Sequence, residues 1–438
     1  MIDKARFAVR LCLSSAGFLI LLLRLSAATG AAQAPIDRDI GLMQKILKQR
    51  PDPEIYYRLG DLYVQKGRQT GDITYFRLSG DALDAALKLM PTFEPAHRHL
   101  AFVRYALHDF AGASSEARRA LALESRDAYA YGVLGDAQLE TGAYAAAAAT
   151  YARMIDLRGD LYSFSRRSGL ETIRGDDAAA IADLKHAITL GQRSGEPPEG
   201  IAWAQTTLAQ DYFLMGQLAA ANDQGEAALR TFPGYHLAFA ILGRVRAAQG
   251  RLEEAADYYR QAINVIPLPE YAAALSDVYV AMNRPSDAQQ QRQLVEFIAR
   301  LNTVNRVLYN RVLVDYYADH DLAHATAVTL AATEFKVRQD IYGEDALAWA
   351  LYRDGQAAVA LPHIVAATRL HTTDARLYFH AGLIYAALGR DDEARVSLQR
   401  SLAINPHFQP LLDQVANREY ARLSADRARQ YAGNRDGR

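Results

Sequence analysis

Cysteine occurs once in the 438 residues, at Cys12. A single thiol excludes a disulfide framework and a cysteine-built metal site. Charge of one sign is also missing. Lys and Arg total 49 against 50 Asp and Glu, so the formal net charge is −1. That balance argues against broad nucleic-acid binding, which needs a basic surface to neutralise phosphates. With only 14 prolines and half its residues hydrophobic, the sequence is that of a folded chain. Long apolar runs are confined to Leu11–Leu23, 13 residues, shorter than the roughly 20 that span a bilayer. Lys4, Arg6 and Arg10 precede this run and small residues follow it through Ala34. This is the layout of an export leader, residues 1–34, with cleavage expected between Ala31 and Ala34. Arg24 leaves an uncleaved anchor as the alternative, the one expected link to a membrane. Cys12 lies inside the leader, so the mature chain is expected to have no cysteine. The leader and an arginine-heavy basic set, 42 Arg to 7 Lys, are read as bacterial and extracytoplasmic, in the periplasm or its equivalent.

Enzyme signatures are absent too. There is no Walker phosphate loop, nucleophile elbow, HExxH or dinucleotide fingerprint after a strand. A non-catalytic protein without cofactor or metal is therefore expected. His320 and His324 could share a helix face, but a pair falls short of the three or four ligands a metal site needs. The acidic pairs Asp176-Asp177, Glu253-Glu254 and Asp391-Asp392 each follow a turn, where they suit the positive N-terminal end of a helix.

What the chain has instead is a repeat. In "FAILGRVRAAQGRLEEAADYYRQAINVIP", residues 239–267, Leu242-Gly243, Gly250, Ala255, Tyr259, Ala262 and Pro267 form a spaced pattern. The same phases return at Leu134-Gly135, Gly142, Ala147 and Tyr151, and again at Gly382, Tyr385, Gly389, Ala394, Leu398 and Pro406. Taking the Gly243 phase as a marker gives ten positions: Gly60, Ala101, Gly135, Ser168, Ala209, Gly243, Ser276, Leu313, Ala348 and Gly382. Their spacings are 41, 34, 33, 41, 34, 33, 37, 35 and 34. The pattern predicts a helical hairpin: one helix over 237–248, a turn at Gly250, and a second over 252–264 stopped by Pro267. One such hairpin cannot bury its apolar face alone, so the hairpins must stack.

The pattern resembles the tetratricopeptide repeat family, whose unit of about 34 residues carries an aromatic, Leu-Gly, Tyr, Ala, an aromatic, Ala and Pro. Phe239, Leu242, Gly243, Gly250, Ala255, Tyr259, Ala262 and Pro267 fit it, and Arg246 departs from it. The resemblance covers roughly 53–406. It implies an all-α fold, a right-handed superhelical solenoid of stacked antiparallel helix hairpins, with about ten repeats. Repeat starts are expected near Pro53, Glu94, Ala128, Leu161, Ala202, His236, Pro269, Arg306, Ile341 and Ala375. The expected organisation is leader 1–34, N-terminal helical cap 35–52, repeats one to four over 53–196, repeats five to ten over 197–406, and a capping helix with polar tail over 407–438. Pro197-Pro198 is the candidate boundary between halves, within a longer connection at 191–200. Residues 67–77 lengthen the first hairpin, and 286–310 read as an extended helix.

The resemblance also implies where ligands bind, on the concave side lined by the first helix of each hairpin. Periodicity of 3.6 places Tyr57, Arg98, Phe102, Tyr105, Tyr129, Tyr162, Trp203, Gln210, Phe213, Arg244, Trp349, Tyr352 and Phe379 on that side, together with Asp61, Asp136, Asp277, Asn310, Tyr317 and Arg376. Aromatics and arginines suit a protein-binding surface, so a protein or peptide partner held by an envelope scaffold is the leading expectation. The Lys, Asn and Arg set with which some family members grip a peptide carboxylate is missing. Burial of the aromatic stripe between helices is the structural alternative. A glycan- or substrate-binding accessory subunit is the second functional one, with Trp203 and Trp349 stacking on sugars. Tyr63, Tyr151, Tyr212, Tyr259, Tyr279, Tyr316 and Tyr385 occupy phases that the family fills with packing aromatics.

Overall fold

The computed structural model of the chain describes residues 36–70, 72–304 and 311–436. The expected leader, Cys12, the expected start at Arg306 and Asn310 lie outside them. The described residues form helices and turns with no strand. They fall into two compact units that meet in sequence at Leu107 and His108, not at Pro197-Pro198.

The first unit holds α1 (36–49), α2 (Pro53–Thr70), α3 (Thr74–Leu89) and α4 (Glu94–Ala106). Ile36, Ile40 and Leu47 of α1 bury against Leu59, Tyr63 and Ala82. Leu83 and Ala86 pack on Ala96, Leu100 and Val103 of α4. The extra residues at 67–77 go largely into α2, 18 residues long.

The second unit opens with α5 (Phe110–Leu123) and continues as eight hairpins: α6 (Ala128–Glu140) with α7 (Tyr144–Leu157), α8 (Leu161–Ile173) with α9 (Asp177–Ser194), α10 (Pro198–Leu214) with α11 (Leu218–Thr231), and α12 (His236–Ala248) with α13 (Leu252–Val265). Then come α14 (Pro269–Ala281) with α15 (Pro285–Val304), α16 (Arg311–Asp319) with α17 (His324–Phe335), α18 (Ile341–Arg353) with α19 (Ala357–Thr368), and α20 (Ala375–Ala387) with α21 (Asp391–Ile404). The last helix, α22 (Leu412–Asp436), covers α21 through Leu412, Ala416 and Leu423. The fold is a solenoid of stacked helix hairpins. Helices begin at the expected residues Pro53, Glu94, Ala128, Leu161, His236, Pro269, Ile341 and Ala375. The connection at 191–200 is shorter than expected. Its residues extend α9 and α10 to 18 and 17 residues, leaving a turn in which Gly195 is left-handed.

The marker works because helices cross at it. A Cβ on Gly135 would lie 2.3 Å from the Tyr151 ring, so only glycine lets that tyrosine pack, at 1% exposure. Tyr63, Tyr212, Tyr259, Tyr279 and Tyr316 are likewise buried. Asp176 caps α9 by accepting from Ala179 N, and the other two acidic pairs fall in the first turns of α13 and α21. Seven residues past the marker the chain turns left-handed, at His108, Gly142, Gly175, Gly216, Gly250, Asn283, Gly355 and Gly389. The residue after the left-handed one donates back into the last turn of the helix, as Arg251 N does to Arg246 O at 2.9 Å. The first repeat has no such turn, since Gly67 lies inside α2, and a later repeat shifts it by one residue. Its left-handed residue is Asp321, which moves the marker from Leu313 to Val314 and makes the next spacing 34.

The second unit closes on itself along one rim. The turns of early hairpins meet the loops that precede α18, α20 and the 407–411 segment. Tyr144 Oη accepts from Ile341 N at 2.8 Å, beside the Arg338–Glu140 ion pair. Thr372 Oγ1 donates to Ile173 O, and Asn405 Nδ2 donates to Phe213 O at 2.7 Å. The partners are 192 to 199 residues apart in sequence. Three of the turn glycines sit at these contacts. A Cβ on Gly142, Gly175 or Gly216 would come within 2.7 to 2.8 Å of Gln339 O, His371 O or Ile404 O.

Candidate functional site

Closure of the rim leaves a cavity of about 550 Å³ inside the second unit. Its walls are the inner faces of α10, α12, α14 and α16, with Arg376 at the start of α20 and the 407–410 segment. Corresponding positions, one past each marker, carry Gln210, Arg244, Asp277 and Asp315. A smaller cavity of about 330 Å³ adjoins it and shares Gln210, Phe213, Arg244, Asp315 and Arg376.

Six of the expected residues meet here: Trp203, Gln210, Phe213, Arg244, Asp277 and Arg376. Arg244 Nη1 donates to Gln210 Oε1 at 2.8 Å, and its guanidinium carbon lies 4.4 Å from the centre of the Phe213 ring. Burial holds its pKa below the usual value for arginine. Trp203 packs partly against Tyr235, Ala238 and Ile201, leaving the rest of its ring in the wall.

Apart from Glu270, the acidic groups in the wall and the cations His320 and Arg376 are paired. His320 Nε2 is 2.5 Å from Asp277 Oδ1. Burial works against the imidazolium, and the Asp277 bond outweighs it, so the pKa is raised. Arg376 lies 3.0 Å from Asp315 and 3.5 Å from Asp319. Burial opposes its charge, but the two carboxylates outweigh that and raise its pKa. Burial in turn pushes the Asp315 carboxyl up to about 6 despite Arg376. These groups lie deep in the coil yet keep about a quarter of their side-chain surface open, 27% for Arg376 and 25% for Asp315. Glu270 also lines the cavity, and burial raises its pKa.

The remaining expected residues sit elsewhere. Tyr57 belongs to the first unit, its ring edge-on to Phe93 and His99 at 5.6 and 4.9 Å. Arg98, Phe102 and Tyr105 lie in the same unit, half-buried. In the second unit, Tyr129 is 39% exposed, and Tyr162 packs beside Leu161 and Ile201. Trp349 and Phe379 are corrected to core: they are 1% and 0% exposed. The Trp349 ring stacks on His380 at 4.1 Å and on Tyr352 at 5.2 Å, and its Nε1 donates to Asp319 Oδ1 at 2.8 Å. The alternative of burial between helices therefore holds at these positions, and a sugar platform loses one of its two tryptophans. Tyr317 is also buried. The one-residue slip of the marker had put Tyr317 in the groove in place of Ala318, and Val314 at the position that Asp315 takes. His320 and His324 face different carboxylates, Asp277 and Asp321. Among the described residues no group of three or more His, Cys, Asp or Glu is placed to hold a metal. None of their helices is long and apolar enough to cross a membrane.

Models of the tetratricopeptide repeat match residues 100–161, 206–274 and 375–408. With the stacked hairpins, these matches support a tetratricopeptide-repeat solenoid, and the repeat count is consistent with about ten. Proteins of this class are generally non-catalytic scaffolds for protein–protein interaction. No curated protein matches the chain in sequence. Among solved structures it is similar to the human IFIT1 dimer with m7Gppp-AAAA, at 16% identity over 78% of both chains and a TM-score of 0.46. It is also similar to yeast Tom70, at 13% identity over 98% of this chain and 97% of that one, TM-score 0.37. A third likeness is to the APC/C hetero-tetramer Cut9–Hcn1, at 12% over 92% and 96%, TM-score 0.39.

Proposed function

We propose that this protein is an exported, non-catalytic scaffold that holds a segment of a partner protein against the inner face of its second unit. The observation that carries the reading is the cavity wall, where Trp203, Phe213 and the Arg244 guanidinium converge from adjacent hairpins. A concave, largely apolar site with a few placed polar groups is the common form of a binding pocket, and aromatic and arginine side chains are the usual anchors of protein interfaces. The leader-like N-terminus supports an extracytoplasmic setting. The test is a photo-crosslinking residue at Thr207, in the cavity wall, compared with one at Asp223, exposed on α11. In envelope extract the Thr207 probe is expected to give a discrete protein adduct that the Asp223 probe lacks. Adducts from Asp223 alone, or from neither position, would rule out the inner face as the interface.

A further inference from the structure

We infer that the cavity recognises a monocarboxylate with an apolar or aromatic body, its carboxylate seated on Arg244. The inference rests on the reading that this cavity is the binding site, but not on the ligand's being part of a protein.

Arg244 is the exception among the cavity's cations. His320 is matched by Asp277, and Arg376 by Asp315 and Asp319. Arg244 has no ion pair among the described residues. Its polar partner is the neutral amide of Gln210, and below it lies the Phe213 ring. A guanidinium carries five N–H donors in a planar fork. One of its nitrogens is engaged by Gln210, and the side chain lines both adjoining cavities. A partly buried charge without an ion-pair partner is costly; the Asp374 carboxylate of the adjoining cavity acts on Arg244 without forming an ion pair, and a ligand carboxylate would match the fork in a bidentate pair. The rest of the wall near it is apolar, supplied by Trp203, Ile241 and Tyr271.

The carboxylates in the wall set the ligand's total charge. Asp277, Asp315 and Asp319 are each paired, and Glu270 is not. Glu270 lies seven residues before Asp277 on α14, about 10 Å along the helix axis at 1.5 Å per residue. Since Asp277 and Arg244 occupy equivalent repeat positions, Glu270 is at the far end of the cavity from the guanidinium. One negative charge is accommodated at Arg244, and a second at the other end would meet Glu270. Dicarboxylates and phosphate dianions are disfavoured on this ground.

A carboxylate of this kind could belong to the free end of a partner chain or to a small organic acid. Calorimetric titration of the purified chain separates the two. The probes are 4-phenylbutyrate and a mixture of N-acetylated tripeptides with free carboxyl ends, each run beside its amide, with succinate as the dianion. We expect at least one acid to bind at least tenfold tighter than its amide and tighter than succinate, and Arg244→Gln to erase that preference. The tighter of the two acids identifies the source. Should Arg244→Gln fail to fold by circular dichroism, Gln210→Leu, which frees the guanidinium, should still change the acid's affinity several-fold without affecting the amide. Equal binding of acid and amide, no binding of either acid to the unaltered chain, or an unchanged preference in Arg244→Gln would overturn the inference. A partner adduct at Thr207 with no acid preference would overturn the anion site alone and leave the scaffold reading intact.

Discussion

Asp211 shows how the fold treats a single buried charge. It lies on α10 at 5% exposure and accepts a hydrogen bond from Thr172 Oγ1 at 3.1 Å. Burial pushes its carboxyl up to about 7, with Asp177 adding to the shift and Thr172 opposing it. A folded-state pKa above the unfolded value means the folded state holds the proton longer. Stability therefore falls as pH rises from about 4 to about 7 and levels off above that. Asp211→Asn removes the titration, so urea unfolding at pH 5 and pH 8 should show the unaltered chain losing more stability than the variant between the two. Parallel losses would mean that Asp211 ionises as it would in the unfolded chain. Nothing in the sequence marked this residue, because its neighbours come from another hairpin.

At the scale of the element, each hairpin turn of the second unit carries a left-handed residue, and the rim contacts ask more of three of them. Gly175 and Gly250 have nearly the same backbone, φ +72° and +74°. Alanine at Gly250 meets open space and bears only the left-handed strain, about 1–2 kcal/mol. Alanine at Gly175 bears that strain and also places its Cβ 2.8 Å from His371 O, so the Thr372–Ile173 contact beside it must give way. Thermal unfolding should therefore find Gly175→Ala clearly less stable than Gly250→Ala. Equal losses would show that the rim contributes nothing. The glycines themselves were legible in the sequence, since each falls seven residues past a marker. Their second duty was not, because sequence spacing records which residues turn but not which residues arrive from almost 200 positions away.

Over the whole molecule, local periodicity gave the helix starts and the tyrosine core, each set by packing within one hairpin or against the next. It erred where the repeat length is irregular. The long α15 hid a one-residue slip that placed Tyr317 in the groove and passed over Asp315, although a spacing of 34 to the next marker pointed to Val314. It also assigned Trp349 and Phe379 to the groove, since a helix face that is concave in an open coil becomes core where further layers cover it. The cavity, the pairing of its charges and the exception of Arg244 all depend on closure of the second unit, which makes closure the central claim. Since the chain has no cysteine after Cys12, spin labels on Cys replacements at the exposed residues Ala143 and Gln339 can measure it by pulsed electron resonance. A closed rim predicts one short, narrow distance distribution. A long or broad one would describe an open solenoid, and would contradict both the cavity and the site built on it.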